Sequence, residues 1–310
     1  MIIIKVMGGL GNQLQQYALY RKMEKLGKDV RLDVSWFRRK KVQQKVLAHR
    51  TLELDYFAGA IYREASEREI RDVLGRLWEE SEPFVRKVLR KLGASENPLF
   101  TETGMYHPEI FEMDQKYLTG YWACDKYYAD CMEELRSCLQ FPICGKQENK
   151  DLLAQLKEMK EEGTEVPISV HIRRGDYLDE ANAALFGGIC TDAYYEAAIR
   201  YMKERFPKAV FYLFSDEPDY VREHYRGKEY HIVDWNRGAD SFFDIQLMSK
   251  CAHNICANST FSFWGARLNA GRDKICIRPS IHKNTQKCIP EEMKELWKGW
   301  TLITPQGVIL

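Results

Sequence analysis

The chain has 310 residues, a length that favours two domains over one and allows each a substantial core. Lys and Arg number 46 against 45 Asp and Glu, a formal net charge of +1, so the chain has no overall field to hold nucleic acid or an anionic bilayer. Hydrophobic residues make up 45% and charged residues 29%, which is a globular composition and excludes a disordered or fibrous protein.

The N-terminal half begins with a predicted strand, a glycine-rich turn and a helix. Residues 2–7 form a short β-branched run, and the turn GGLG leads into a helical pattern that stops at Gly27. A second apolar stretch, residues 30–34, completes a βαβ-like unit, whose loops lie at one edge of a parallel sheet. Further along, residues 117–121 predict a strand and residues 125–139 a helix.

A segment of different character, residues 38–91, interrupts this half. It opens with the basic cluster RRKKVQQK, and SEREIRDVLGRLWEE carries apolar residues at helical spacing, which predicts an amphipathic helix with solvated charges. Contact of residues 38–41 with a membrane surface is the alternative. Since the first residues are too few for a signal peptide and no apolar run approaches the roughly 20 residues of a membrane helix, we expect a cytoplasmic protein, at most peripherally bound to the inner face of the membrane.

After the polar stretch GKQENKD, strands and helices alternate regularly. The predicted strands cover residues 168–172, 210–214, 231–233, 254–256 and 274–277. The predicted helices cover residues 192–205, 218–225 and 241–251, with another starting near Phe261. Such alternation predicts a doubly wound parallel α/β sheet, whose ligands lie beyond the carboxyl ends of its strands. We therefore expect two domains, residues 1–150 and 151–310, with a last helix that can pack back on the first domain.

The densest group of polar residues follows the predicted strand PISVHI. His171 and Arg173 alternate onto one face of that strand, Arg174 lies on the other, and Gly175 permits a sharp exit. Two guanidinium groups at the carboxyl edge of a parallel sheet suit a diphosphate, because each donates paired hydrogen bonds and stays charged. The alternative is an ion pair, such as Arg174 with Asp176, that only ties down the loop.

Two further motifs follow the later strands. Asp216 can accept the paired N–H donors of guanine, although a residue of this type before a helix is also a common N-cap. The second motif consists of Asn258, Ser259, Thr260, Phe261 and Ser262. It opens a helix, and a helix N-terminus with added hydroxyls can hold phosphate, although N-capping explains part of the pattern.

The loop GGLGNQ after the first strand is neither a dinucleotide fingerprint nor a P-loop, since it lacks both the GxGxxG spacing and the Lys–Ser/Thr ending. Its glycines Gly9 and Gly11 let the backbone approach a ligand closely, and Asn12 can then reach a diphosphate or a sugar across an interdomain cleft.

Neither the cysteines nor the carboxylates predict a metal site. The nine cysteines include no CxxC pair, which favours reduced thiols over a zinc site or a disulfide framework. No Asp-x-Asp occurs anywhere in the chain, so the usual carboxylate pair that holds a divalent ion against a nucleotide diphosphate is missing. We expect no cofactor.

Taken in this order, the motifs resemble those of the bacterial and animal α-1,2-fucosyltransferases. The segments that carry the resemblance are GGLGNQLQQYAL, GYWACDKYY, HIRRGDY, FSDEPDYV and DIQLMSKCAHNICANSTFSFWGARLN. The pattern HxRRxD is shared more widely, with protein O-fucosyltransferases, α-1,6-fucosyltransferases and the rhizobial nodulation enzyme. The chain is thus similar to bacterial members of glycosyltransferase family 11 as far as about Ile277, except in residues 38–91.

The resemblance implies a GT-B fold, in which two Rossmann-like domains face a cleft and the C-terminal domain binds most of GDP-fucose. It places Arg173 at the β-phosphate, and His171 and Asp216 at the guanine side of the donor. The remaining donor contacts that it implies are Gly9, Gly11, Asn12, Asn258, Ser259, Thr260, Phe261 and Ser262. It makes Arg173 and Asn12 the expected catalytic residues, with Arg174 and Asp176 in support.

The implied reaction is metal-independent displacement at the anomeric carbon of GDP-β-L-fucose by the 2-hydroxyl of a terminal β-galactose, with inversion. The sequence identifies no general base, and a strongly oxocarbenium-like transition state would place the catalytic demand on Arg173 instead. Two alternatives stay open: a glycosyltransferase of different donor or linkage, and a non-catalytic guanine-nucleotide-binding protein. We expect acceptor contacts in residues 38–91, which carry no donor motif.

Overall fold

The computed structural model describes residues 1–44, 49–75, 97–175, 180–285 and 289–310. The chain divides into two compact units, Met1–Gln140 and Phe141–Leu310. Each unit contains one wholly parallel sheet with helices between its strands. The predicted α/β class is therefore confirmed, with the two Rossmann-like units that GT-B enzymes have.

The N-terminal unit has a four-stranded sheet in the order β2-β1-β4-β3. Its strands are β1 Ile2–Lys5, β2 Val30–Asp33, β3 Leu99–Thr101 and β4 Lys116–Thr119. The apolar residues of β1 are fully buried, since parallel strands are covered on both faces. Helix α1 (Leu10–Lys25) joins β1 to β2, which confirms the βαβ unit.

Three shorter helices complete the described part of this unit. They are α2 Lys40–Gln43, α3 Glu67–Leu74 and α4 Met132–Cys138. The amphipathic helix expected near SEREIRDVLGRLWEE is confirmed as α3, which starts at a capping box on Ser66 and ends at Gly75; the rest of that pattern lies outside the described residues.

The helix expected over residues 125–139 is shorter than predicted. Two 3-10 turns, Asp125–Tyr127 and Ala129–Cys131, precede α4. Tyr127 and Tyr128 are consecutive and both fully buried. The backbone leaves the helical range at Tyr128, with φ −149° and ψ 15°, which separates the two 3-10 turns.

The C-terminal unit has a six-stranded parallel sheet in the order β10-β9-β8-β5-β6-β7. Its strands are β5 Val166–Ile172, β6 Ala209–Ser215, β7 Tyr230–Val233, β8 His253–Ile255, β9 Cys276–Pro279 and β10 Thr301–Ile303. The chain builds outward from β5 to β7 and then returns to the other side of β5 with β8. This is the Rossmann strand order, and ligands bind at its switch point, here beyond the carboxyl ends of β5 and β8.

The helices of this unit follow the predicted alternation. They are α5 Gln147–Glu162, α6 Glu180–Phe186, α7 Asp192–Arg205, α8 Pro218–His224, α9 Phe243–Lys250, α10 Thr260–Leu268 and α11 Pro290–Leu296. The sequence did not reveal α5, which begins inside GKQENKD and buries Leu152, Leu156 and Met159. The stretch expected to link the domains thus belongs to the second unit, which begins at Phe141.

The described helices include none that is both long and apolar enough to cross a membrane. Eight cysteines lie in the described residues; none of these forms a disulfide, and six are buried.

Gln13 fixes the glycine turn at the start of α1. Its buried amide group donates from Nε2 to the carbonyl oxygens of Gly8 at 3.0 Å and Thr51 at 2.9 Å. Its Oε1 accepts the backbone N–H groups of Glu53 at 2.8 Å and Leu54 at 3.3 Å. One side chain therefore satisfies four backbone groups and joins the turn to the segment that follows α2.

We expect Gln13→Leu to lower the free energy of unfolding by about 3 kcal/mol, because four buried backbone groups would lose their partner. The measurement is urea denaturation followed by circular dichroism. Gln147→Leu, at an exposed position, is the matched control and should change stability by less than about 0.5 kcal/mol. A loss below about 1 kcal/mol for Gln13→Leu would contradict this role.

Candidate functional site

The predicted arginine motif stands at the carboxyl edge of the C-terminal sheet. Strands β5 and β6 pair in a register that sets Ile172 opposite Ser215, so Arg173 and Asp216 leave the sheet side by side. Arg173 Nη1 lies 3.1 Å from Asp216 Oδ2, and both side chains are about three-quarters buried, with 28% and 24% of their surface exposed. The sheet register thus creates an ion pair at the predicted site.

Asp216 also binds the backbone of Arg174, the residue that follows Arg173. Its Oδ1 accepts the N–H of Arg174 at 3.0 Å, so the carboxylate brackets the turn after β5 with both of its oxygens. Gly175 allows this approach, because a Cβ atom at that position would overlap Asp216 Oδ2. The structure gives Asp216 an orienting role, while its contact with guanine stays a prediction.

Arg174 turns to a different set of partners. Its Nε donates to Glu217 Oε2 at 3.2 Å, and its guanidinium carbon lies 3.6 Å from the ring centre of Tyr220. Tyr220 in turn donates from its hydroxyl to Asp192 Oδ1 at 3.0 Å. The expected partner Asp176 lies outside the described residues. Arg174 therefore joins the turn after β5 to helices α7 and α8.

His171, on β5, is a buried neutral imidazole. Burial is the main cause that lowers its pKa to about 3, and the nearby charge of Arg173 acts in the same direction. Its Nδ1 has no hydrogen-bond partner in the part of the chain that the structure describes. Its ring centre lies 5.8 Å from that of Phe261, and its carbonyl oxygen accepts the hydroxyl of Tyr195 at 3.0 Å. The imidazole is thus uncharged, with one N–H donor and one acceptor nitrogen, of which Nδ1 is buried.

The second predicted motif starts helix α10, directly after β8. Ser259 is the N-cap residue, but its side chain makes no capping hydrogen bond. Ser262 is buried and donates from Oγ to the carbonyl oxygen of Ser259 at 3.1 Å, whereas Ser259, Thr260 and Phe261 are partly exposed. Because β8 and β5 are neighbours, the N-terminus of α10 and the arginine turn lie at the same switch point.

Asn258 has a structural position beside this helix end. It is buried and donates from Nδ2 to the carbonyl oxygens of Phe186 and His282, both at 3.2 Å. Its backbone N–H donates to Cys190 Sγ at 3.2 Å. The side chain thus ties the loop after β8 to the end of helix α6 and to the loop that contains His282, and its expected donor contact stays a prediction.

The glycine turn of the N-terminal unit has a different electrostatic environment from that expected. Asn12 is partly exposed and folds over Gly8, which has φ +83°. The backbone N–H of Leu10 bonds to the Glu53 carboxylate, whose pKa burial raises. Gly9 packs against Arg50, and Gly11 is buried. A carboxylate of the same unit therefore occupies the N-terminus of α1, and Asn12 is the side chain that stays accessible there.

Several positioning residues escaped the sequence analysis. Tyr195, Tyr220 and Glu217 hold the arginine turn, and Glu53 and Arg50 hold the glycine turn. Glu217 adjoins Asp216 in the motif and could have been suspected, whereas the others contact the site only through tertiary packing. Within the described ranges, no cluster of three or more His, Cys, Asp and Glu side chains could hold a metal ion.

Comparison with known proteins assigns the chain to one family. The model of glycosyl transferase family 11 matches residues 109–304. An α-1,2-colitosyltransferase of Escherichia coli is 27% identical over 90% of this chain and 91% of its own length. The O-antigen biosynthesis glycosyltransferase WbnK of Escherichia coli is 42% identical over 36% of this chain and 37% of its own. A galactoside α-(1,2)-fucosyltransferase 1 of Plecturocebus brunneus is 26% identical over 52% of this chain and 44% of its own.

The depressed pKa of His171 predicts how stability depends on pH. An unfolded chain binds a proton at this imidazole near pH 6.5, whereas the folded protein binds it only near pH 3. The unfolded state therefore holds the extra proton between these values, and this contribution to stability falls as the pH falls.

We expect His171→Gln to reduce this slope by up to about 1.4 kcal/mol per pH unit, measured by urea unfolding from pH 7 to pH 4. Burial also lowers the pKa of His282 to about 3. His282 is unchanged in this variant, so part of the dependence of stability on pH should be preserved. The exposed His224 supplies the matched control, His224→Gln, which leaves both buried imidazoles intact. A slope identical to that of the wild type in His171→Gln would contradict the prediction.

Proposed function

Because the chain belongs to glycosyl transferase family 11, we propose that it transfers L-fucose from GDP-β-L-fucose to the 2-hydroxyl of a terminal β-galactose, with inversion at the anomeric carbon. The observation that carries this proposal is the switch point of the C-terminal sheet. There, an oriented arginine, a helix N-terminus without a side-chain cap and a buried neutral histidine adjoin one another.

The diphosphate of the donor suits Arg173 and the start of α10. A guanidinium presents a planar fork of N–H groups to phosphate oxygens, and the pair with Asp216 fixes the direction of that fork. The N-terminus of α10 adds backbone N–H groups and a positive dipole end, with the hydroxyls of Ser259 and Thr260 beside it. We assign the β-phosphate to Arg173 and the diphosphate loop to residues 259–262.

The base of the donor suits a neutral polar group better than a charged one. His171 stays uncharged at ordinary pH, and an imidazole nitrogen can form a hydrogen bond with the edge of guanine. Phe261 stands beside that imidazole and offers an aromatic face. We assign the guanine side of the donor to His171 and Asp216, as the resemblance implies.

Arg173 has the largest part in the chemical step. The acceptor oxygen forms a bond to the anomeric carbon while the bond to the β-phosphate oxygen breaks, and GDP leaves with the bonding electrons. Negative charge therefore grows on the diphosphate in the transition state, where a fixed cation and helix-end N–H groups stabilise it most. We expect these groups to suffice without a divalent ion and without a cofactor. Asn12 is the second residue to which we assign a catalytic role, from the resemblance alone.

A second candidate donor sugar is colitose, which is fucose without its 3-hydroxyl. The similarity to an α-1,2-colitosyltransferase over 90% of this chain favours it. The two sugars differ by one hydroxyl group, so a site built to hydrogen-bond that hydroxyl would reject colitose strongly, whereas an apolar site would hardly separate them.

The test is incubation with GDP-fucose or GDP-colitose and a panel of β-galactosides, in excess EDTA, with products identified by mass and by linkage. We expect an α-1,2-linked product in EDTA. Loss of turnover that Mn²⁺ or Mg²⁺ restores would contradict the metal-independent mechanism, and transfer to another hydroxyl would contradict the linkage. Tight binding of GDP without consumption of either donor would instead establish a non-catalytic nucleotide-binding protein.

We expect Arg173→Ala to lower kcat by about 100-fold or more and to weaken GDP-fucose binding by about tenfold, since its charge matters most as GDP leaves. Arg173→Lys should recover little, because an ammonium cannot reproduce the fork. Steady-state kinetics and calorimetry of donor binding measure the two effects. Arg226→Ala, at an exposed position of the same unit, is the matched control. Near wild-type turnover in Arg173→Lys would reduce the role of Arg173 to its charge.

A further inference from the structure

An exposed aromatic turn follows β4 in the N-terminal unit. Tyr121 is 48% exposed, and Met105, on the loop after β3, is 40% exposed. Strands β3 and β4 are parallel neighbours, and β4 also pairs with β1. The turns after these strands and the glycine turn after β1 therefore lie at one edge of the sheet, where α/β units bind ligands.

This turn is held in an unusual backbone conformation. Trp122 has φ +53°, the only positive value among non-glycine residues of the described chain, and it is fully buried. Its ring packs on Phe100 and Tyr127, at centre distances of 6.2 and 5.4 Å. A bulky residue in this conformation is strained and persists only where its surroundings enforce it, which occurs most often at functional sites.

Glu102 enforces the conformation. Its Oε2 accepts the backbone N–H groups of Tyr121 at 2.7 Å and Trp122 at 3.0 Å. Gly120 admits the carboxylate, because a Cβ atom there would overlap the Glu102 side chain. On the other side, Gln16 donates to the carbonyl oxygen of Gly120 at 2.9 Å and accepts the N–H of Met7 at 3.0 Å. The aromatic turn is thus fixed to the ends of both β3 and β1.

The composition of this edge suits a neutral glycan rather than a diphosphate. The exposed part of the tyrosine ring offers an apolar face to the C–H face of a sugar ring. The carboxylates Glu102 and Glu109 stand nearby, and His107 interacts with both. Carboxylates accept hydrogen bonds from sugar hydroxyls and repel phosphate.

We propose that Tyr121 is the stacking platform for the acceptor galactoside, and that Glu102 is a positioning residue that holds this platform. The inference rests on the proposed glycosyl transfer and locates its acceptor subsite. It places an acceptor contact outside residues 38–91, where the sequence alone led us to expect such contacts.

The test is steady-state kinetics of Tyr121→Ala and Tyr121→Phe with lactose as acceptor, or with whichever β-galactoside the wild type uses. Tyr121→Ala should raise the KM for the acceptor about tenfold, because the stacking face is lost. It should leave kcat and the KM for GDP-fucose within about twofold, while Tyr121→Phe, which keeps the ring, should stay close to wild type. Leu26→Ala is the matched control, since Leu26 is 46% exposed and follows α1 at the opposite edge of the sheet.

Glu102→Gln gives the second measurement. The amide oxygen can still accept the N–H of Tyr121. If Glu102 contributes only to stability, the acceptor KM of this variant should therefore equal that of the wild type. We expect the acceptor KM to rise about threefold to tenfold at unchanged donor KM, because a neutral amide holds the two N–H groups less firmly than a carboxylate.

Three outcomes decide the inference. An acceptor KM within twofold of wild type in Tyr121→Ala, in a protein with normal turnover, overturns the subsite and leaves the proposed function standing. A rise in donor KM as large as that in acceptor KM also overturns it, since the change would then not be specific to the acceptor. A wild-type protein that transfers neither sugar overturns the proposed function, and the subsite with it.

Discussion

The architecture of the C-terminal site depends on one carboxylate. Asp216 pairs with the guanidinium of Arg173 and accepts the backbone N–H of Arg174, so one side chain fixes both the backbone turn and the charge that the turn presents. Strand register makes this possible, since β5 and β6 end level with one another. Gly175 is required because no side chain fits beside the carboxylate. The two successive arginines consequently have different roles. Arg173 lies at the switch point, and Arg174 fixes the loop through its contacts with Glu217 and Tyr220.

The two units differ in the charge at their helix N-termini, and this difference supports the proposed placement of the donor diphosphate in the C-terminal unit. In the C-terminal unit, α10 starts without a side-chain cap, next to Arg173. In the N-terminal unit, Glu53 bonds to the first backbone N–H of α1, so the positive end of that helix already has an anionic partner. For the proposed reaction, these helix ends favour a donor diphosphate at α10 over α1. The glycine turn then contributes through Asn12 and through its close backbone, which is a role compatible with a neutral sugar.

The sequence predicted the topology well and the side-chain pairs poorly. Periodicity located α7 at its observed bounds, residues 192–205, because a helix start at Thr191 and an apolar stripe are local signals. It missed α5, whose first turn is polar, and it extended α4 through Tyr127 and Tyr128, where the chain forms two 3-10 turns instead. The pairs Arg173–Asp216 and Glu102–Tyr121 join residues far apart in the chain. Motifs can indicate that such residues matter, but only strand register and loop path decide which of them meet.

In the proposed transfer, the pairing of Arg173 with Asp216 would let one arginine present its charge in a fixed direction. An unpaired guanidinium on a partly exposed edge would sample many rotamers and would lose side-chain entropy when it bound phosphate. The carboxylate removes part of that cost in advance, because it fixes the orientation of the planar guanidinium. The pair is formally neutral, so the ground-state donor gains little from long-range attraction. In the proposed reaction, charge that develops on the departing diphosphate meets a guanidinium that is already oriented, and stabilisation of that kind favours the transition state over the bound substrate. The neutral His171 beside it adds no second cation to this site.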